Sequence, residues 1–230
     1  MAPWVLIPKR GVGGGNLVDV GDLEPSLAAL SEPTSCVVNS LSRLEGRNAQ
    51  TMLVIGLGPL GLIHGLMAQD LGIQTVVGVA RPGLRFETAQ TFGLDAVVTP
   101  DQIPDAITRF TDGQGFDVVV VTAPSSQMQS AAPAYAARSG AISLFAGLPV
   151  GHEMITLNSR TVHYGEQIVY GASDSTVAHV RRAVDWLKTN ELVLDKLVTH
   201  RFPLAGFHDA MDAVIGRKAV KAVLLAEGLS

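Results

Sequence analysis

TMLVIGLGPLGLIHGLMAQDL, residues 51–71, runs from a short apolar segment through Gly56, Gly58 and Gly61 into a helical pattern. That order predicts a strand, a tight turn and a helix. The three glycines serve different ends. Gly56 lets the chain turn sharply, Gly58 lets backbone approach a diphosphate, and Gly61 lets helix pack closely on strand. Phosphates would then rest on the helix N-terminus, where free N–H groups and the helix dipole favour anions. Glycine patterns are common, so context decides. Here the apolar run Thr51–Ile55 precedes the turn and a second β-branched run, Thr75–Val79, follows after one helix. The stretch is read as a dinucleotide-binding turn; a purely structural turn and a methyltransferase-type nucleoside site are the alternatives.

Outward from this unit, strand and helix patterns alternate. Strands are expected at Ala96–Val98, Phe116–Val121, Ala141–Phe145 and Gln167–Tyr170, with the unbroken valines of Phe116–Val121 marking a strand buried on both faces. Helices are expected at Leu84–Phe92, Asp101–Phe110 and Gln127–Arg138. Beyond them come a helix at Val177–Thr189, a strand at Leu197–Phe202, a helix at Phe207–Ile215 and a strand at Val220–Leu225. The alternation predicts an α/β fold: a doubly wound, mostly parallel Rossmann sheet with right-handed crossovers. Residues 1–31 differ, with a short strand at Trp4–Ile7 and a loop rich in glycine (Gly11, Gly13, Gly14, Gly15), and cannot form a core alone. A helix follows at Glu32–Leu44, with Pro33 in its first turn. The expected division is therefore 1–31 as an appended segment and 32–230 as the dinucleotide-binding domain with a C-terminal return.

Composition narrows the functional classes. The chain has 230 residues, 47% of them hydrophobic and 17% charged, which suits a well-filled globular protein. A net charge of −4 gives no electrostatic footprint for nucleic acid. One cysteine, Cys36, rules out a disulfide framework within the chain and suggests a reducing, cytoplasmic setting. The apolar run near Thr51–Ala68 is broken by glycines, a proline and a histidine, so no membrane span is expected.

The end of the second strand speaks to the cofactor. An NAD site usually places an Asp or Glu there to accept hydrogen bonds from the ribose hydroxyls. This chain has Ala80 and Arg81, with Arg85 one helical turn on. Arginine removes repulsion from a 2′-phosphate and offers it a planar donor fork. NADP is favoured over NAD. At the ends of the fourth and fifth strands, Thr122 and the small residues Ala146 and Gly147 leave room for a nicotinamide ring against backbone.

EPTSCVVNSL, VIGLGPLGL, FAGLPVG, TVHYGEQIVYGASDST and KLVTHRFPLAGFHDAMDAVIGRKAVKAVLL together resemble the zinc-dependent medium-chain alcohol, polyol and threonine dehydrogenases. The resemblance covers nearly the whole chain from about Trp4. It implies an oxidoreductase that moves hydride between a nicotinamide cofactor and an alcohol or ketone. It implies that Gly56, Gly58, Pro59, Leu60 and Gly61 form the diphosphate turn and that Ala80, Arg81 and Arg85 form the ribose end. Thr122, Gly147, Leu148 and Ser173 would flank the nicotinamide, and Lys221 would reach the cofactor phosphates. Glu32 or Cys36 falls where relatives place a zinc ligand, and four-residue spacing puts both on one helix face.

The departures are as informative. In relatives an N-terminal barrel-like catalytic domain supplies the other zinc ligands and the proton relay, and the resemblance implies that most of it is missing here, with residues 1–31 its remnant. Gly151, His152 and Glu153 spell a tripeptide that relatives use for zinc, but after the fifth strand, where it is read as coincidence. No four-cysteine lobe is present, and no catalytic residue is assigned. Three readings stay open: a truncated or split dehydrogenase whose activity is impaired or partner-dependent, a non-catalytic NADP-binding module, and a zinc-free reductase of the quinone oxidoreductase kind. Gln167–Ala172 is the expected sheet edge, and pairing through it would give a homodimer.

Overall fold

The computed structural model describes residues 5–226. In chain order, three helices come first: α1 (Lys9–Gly13), α2 (Pro25–Ala28) and α3 (Ser31–Ser42). Next are β1 (Thr51–Ile55), α4 (Pro59–Asp70), β2 (Thr75–Val79), α5 (Leu84–Ala89), β3 (Ala96–Val98) and α6 (Ile103–Thr111). They are followed by β4 (Phe116–Val121), α7 (Ser126–Ala131), β5 (Ala136–Leu144), α8 (Ser159–Gly165) and β6 (Ile168–Gly171). The rest holds α9 (Val177–Thr189), α10 (Glu191–Leu194), β7 (Val198–Pro203), α11 (Phe207–Ile215) and β8 (Lys221–Leu225). The chain forms two compact units, one of Ser40–Ser173 and one of the chain up to Asn39 together with that from Asp174.

The unit Ser40–Ser173 is a six-stranded sheet in the order β3-β2-β1-β4-β5-β6, every neighbouring pair parallel. The order reverses beside β1, whose neighbours are β2 and β4, so the loops leaving β1 and β4 open a crevice at the C-terminal edge of the sheet. Strands β1, β2 and β4 are buried almost throughout because helices cover both faces. Their Leu53, Ile55, Val77, Val119 and Val121 pack with Ile103, Phe116 and Ile142 in one core. Asp117 locks the register at the opposite edge, accepting from the backbone amides of Gln50 (2.8 Å) and Thr51 (2.9 Å) and from Thr51 Oγ1 (3.1 Å).

In the other unit, α2 packs against α9, β7 and β8. Strands β7 and β8 pair parallel with each other as a separate sheet of two. Arg201 ties this unit together: Nε donates to Ser26 Oγ (3.0 Å), Nη1 to the Val198 carbonyl (3.0 Å) and Nη2 to Asp195.

Several expectations need correction. Residues 5–7 form no strand, and Trp4 lies outside the described residues. The glycine-rich segment after them contains α1 rather than being all loop. The helix read over Gln127–Arg138 ends at Ala131, and the fifth strand begins at Ala136, five residues before Ala141. Helical propensity of the AYAAR segment loses there to pairing with β4, where Ala136 stands opposite Phe116 across a register shift. Helix α8 has no counterpart among the expected elements, and α5 stops at Ala89 instead of Phe92. The last two strands do not extend the main sheet.

Candidate functional site

The turn between β1 and α4 is built as its glycines require, though not all for the same reason. Gly56 adopts φ +103°, and a Cβ there would meet the Ala123 amide at 2.7 Å and Thr122 Oγ1 at 2.9 Å. At Gly61 a Cβ would stand 1.9 Å from the Gly56 carbonyl oxygen, so the helix can approach the strand only with glycine. Gly58 is different: its φ is −75°, which any residue adopts, and the nearest atom to an added Cβ is Arg85 Nη1 at 3.7 Å. Gly58 is the N-cap of α4, Pro59 fills the first helical position, and no side chain caps the helix. An α-helix N-terminus without a side-chain cap, fronted by small residues, suits a diphosphate.

At the end of β2, Ala80 is buried while Arg81 is exposed. Arg85, on the first turn of α5, carries its guanidinium back towards the glycine turn. No carboxylate lies between residues 80 and 85. Thr122 hydrogen-bonds the turn itself, its Oγ1 donating to the Gly56 carbonyl. It therefore fixes the β1–α4 turn besides standing at the end of β4. Gly147 and Leu148 follow β5 on the same edge of this unit, Gly147 exposed. Ser173 ends the unit after β6, and Lys221 opens β8 in the other unit.

One buried polar residue was not singled out from the sequence. Gln129 on α7 is 3% exposed, and its Nε2 donates to the Ala146 carbonyl at 2.7 Å. A lone glutamine in a short amphipathic segment carries no signal without the strand partner it meets. His64 is also fully buried: Nδ1 lies 2.7 Å from the Leu60 carbonyl, and the ring packs edge-on to Phe145. Its Nε2 has no hydrogen-bonding partner among the described residues. Burial holds the His64 pKa down at about 4, against the weaker opposite pull of the Leu60 carbonyl.

Glu32 and Cys36 do share one face of α3, and they contact each other, Cys36 Sγ lying 3.6 Å from Glu32 Oε1. Burial and the Glu32 carboxylate push the Cys36 thiol up to about 11, so it stays protonated at neutral pH. Among the described residues no group of three His, Cys, Asp or Glu side chains comes together to hold a metal. A catalytic zinc takes three protein ligands and an open position, so these donors alone do not fit one. His152 is exposed on the loop after β5. No helix among the described residues is long and apolar enough to cross a membrane.

Residues 59–189 match the family model described as zinc-binding dehydrogenase. The chain belongs to that family. Among curated members it is 26% identical over 208 residues to D-arabinitol dehydrogenase 1 of Uromyces fabae, covering 88% of this chain and 59% of that one. Of solved structures, a zinc-binding dehydrogenase-type protein of Sinorhizobium meliloti 1021 bound to NADP superposes with a TM-score of 0.78 at 23% identity, over 88% of this chain and 60% of that one. A short chain alcohol dehydrogenase of E. coli CFT073 complexed with NADH gives 0.75 at 20% identity, over 86% and 58%. The family rests on the family model, and the likenesses to solved structures show the Rossmann fold. This chain spans about three fifths of the length of the family members it matches.

Proposed function

We propose that this chain is the cofactor-binding part of an NADP(H)-dependent alcohol or polyol dehydrogenase. The observation that carries the reading is the end of β2, where Arg81 and Arg85 stand and the ribose-binding carboxylate of NAD enzymes is missing. Gly58 adds support: neither its backbone angles nor its protein neighbours require glycine, which is the pattern expected where a ligand's phosphates would lie.

When bound, NADP(H) supplies or accepts the hydride at its nicotinamide ring. This chain's residues do the holding. Gly56, Gly58, Pro59, Leu60 and Gly61 would hold the diphosphate at the N-terminus of α4, Ala80 and Arg81 would hold the ribose end with its 2′-phosphate, and Arg85 would reach the same anion. Thr122, Gly147, Leu148 and Ser173 frame the nicotinamide half, and Lys221 is assigned to the phosphates by family analogy. Proton removal from an alcohol is given to no residue of this chain. Glu32 or Cys36 would serve zinc only with ligands from outside the described residues.

A second reading, an NADP-binding module without turnover, is favoured by the Glu32–Cys36 contact, which engages the two candidate donors with each other. Zinc content of the purified chain, measured beside NADP-linked oxidation of sugar alcohols, amino alcohols and simple alcohols, separates the two. Zinc near one per chain with turnover supports the dehydrogenase; tight NADPH binding with neither zinc nor turnover supports the module. We also read β6 as the pairing edge of a homodimer, since it ends the sheet and Ile168 on it is 48% exposed. A monomer in sedimentation velocity at micromolar concentration would count against that pairing.

A further inference from the structure

Gln129 and Ser130 are consecutive on α7, and they hold the two ends of one loop. Gln129 Nε2 donates to the Ala146 carbonyl at 2.7 Å, and Ser130 Oγ accepts from the Thr156 amide at 3.1 Å. The Ala146 amide in turn donates to the Val121 carbonyl at 3.0 Å, so the peptides on both sides of Ala146 are fixed. Between these anchors the chain has little else to hold it. Val150 is 97% exposed and Met154 84%, and the tip turns on a bond from the His152 amide to the Pro149 carbonyl at 2.9 Å. A segment with few buried apolar contacts opens easily unless its ends are tied. A buried amide such as Gln129 is tolerated only while it is hydrogen-bonded, which makes the tie costly to lose.

We propose that Gln129 and Ser130 are positioning residues that clamp the loop 146–156 as a shelf for the nicotinamide half of the cofactor. This rests on the dinucleotide reading above, because Gly147 and Leu148 lie on the clamped segment. The clamp acts on one half of the ligand only. Adenosine, 2′-phosphate and diphosphate are met by the β1–α4 turn and the end of β2, which neither side chain touches.

The test compares NADPH with 2′-phospho-ADP-ribose, which lacks the nicotinamide, on the whole chain. Gln129→Leu is expected to raise the Kd for NADPH about tenfold, by removing the side-chain donor that holds the Ala146 carbonyl, while the Kd for 2′-phospho-ADP-ribose stays within about twofold. Ser130→Ala should show the same split, about threefold. In Gln129→Glu a carboxylate faces the carbonyl and cannot donate, but the protonated acid can. NADPH affinity of that variant should therefore recover as pH falls from about 8 to about 5.5, and that of Gln129→Leu should not. Equal weakening of both ligands, no change in either, or no recovery in Gln129→Glu would overturn the clamp. Wild-type chain that binds neither ligand would bring down the dinucleotide reading and the clamp together; wild-type binding without a split in the variants brings down the clamp alone.

Discussion

The Arg85 guanidinium lies against Gly58, so close that a methyl group on that glycine would stand 3.7 Å from Nη1. The same addition at Gly61 would stand 1.9 Å from the Gly56 carbonyl oxygen. Two glycines of one motif thus differ in what surrounds them, only the end of the Arg85 side chain at Gly58 and the protein's own backbone at Gly61.

The difference can be measured. Gly58→Ala should cost about 1 kcal/mol of stability, the ordinary penalty of alanine at an N-cap, yet weaken NADPH binding at least tenfold. Gly61→Ala should cost about 3 kcal/mol or more, since helix and strand must separate to admit the methyl group. Urea unfolding of both variants checks this. Equal destabilisation would contradict the assignment.

His64 should make the fold acid-sensitive. Its folded pKa, about 4, lies below the ordinary histidine value, so the unfolded chain takes up a proton at a pH where the folded chain does not. The stability that neutral His64 confers is complete above about pH 6.5 and is lost as pH falls towards 4, by about 3 kcal/mol in all. Replacing it with leucine removes both the titration and the unpaired Nε2. Unfolding free energies at about pH 7 and about pH 5 should differ less in His64→Leu than in the wild type. An unchanged difference would show that other groups carry the acid response.

Asp117 is expected to be a keystone of the sheet's N-terminal edge. One carboxylate oxygen satisfies two backbone amides and the Thr51 hydroxyl. Asp117→Ala strands those donors and should cost about 2–3 kcal/mol, read as a lower urea midpoint with an unchanged m-value. NADPH affinity below the unfolding transition should stay as in the wild type.

Much of this was legible in the sequence, for physical reasons that also explain the rest. Thr51–Ile55, Thr75–Val79, Ala96–Val98 and Phe116–Val121 are found where read, because β-branched runs between turn residues have few other conformations open to them. Ala136–Arg138 misled, since alanine and arginine favour helix and only the partner strand makes them β. Helix α8 is short and has no buried residue, so it leaves no apolar stripe to read; the Asn158 side chain caps it, accepting from the Thr161 amide at 3.2 Å. The separate pairing of β7 and β8 did have a signal. VTHRFP carries three polar residues in a row, Thr199, His200 and Arg201, unlike the continuous apolar strands of the main sheet, and β7 is buried at Val198 with every second residue from Thr199 exposed. At the site, the glycines and arginines were visible because their chemistry is local. Gln129 was invisible because its meaning lies in Ala146, brought to it by the fold.

If Arg81 selects the cofactor, a fluorescence titration of the purified chain with NADPH and NADH, repeated on Arg81→Asp, shows it most directly. NADPH should bind at least tenfold tighter than NADH in the wild type, with that preference abolished or reversed in the variant. Equal affinity for the two nucleotides in the wild type, or a preference for NADPH that survives Arg81→Asp, would contradict the assignment of Arg81.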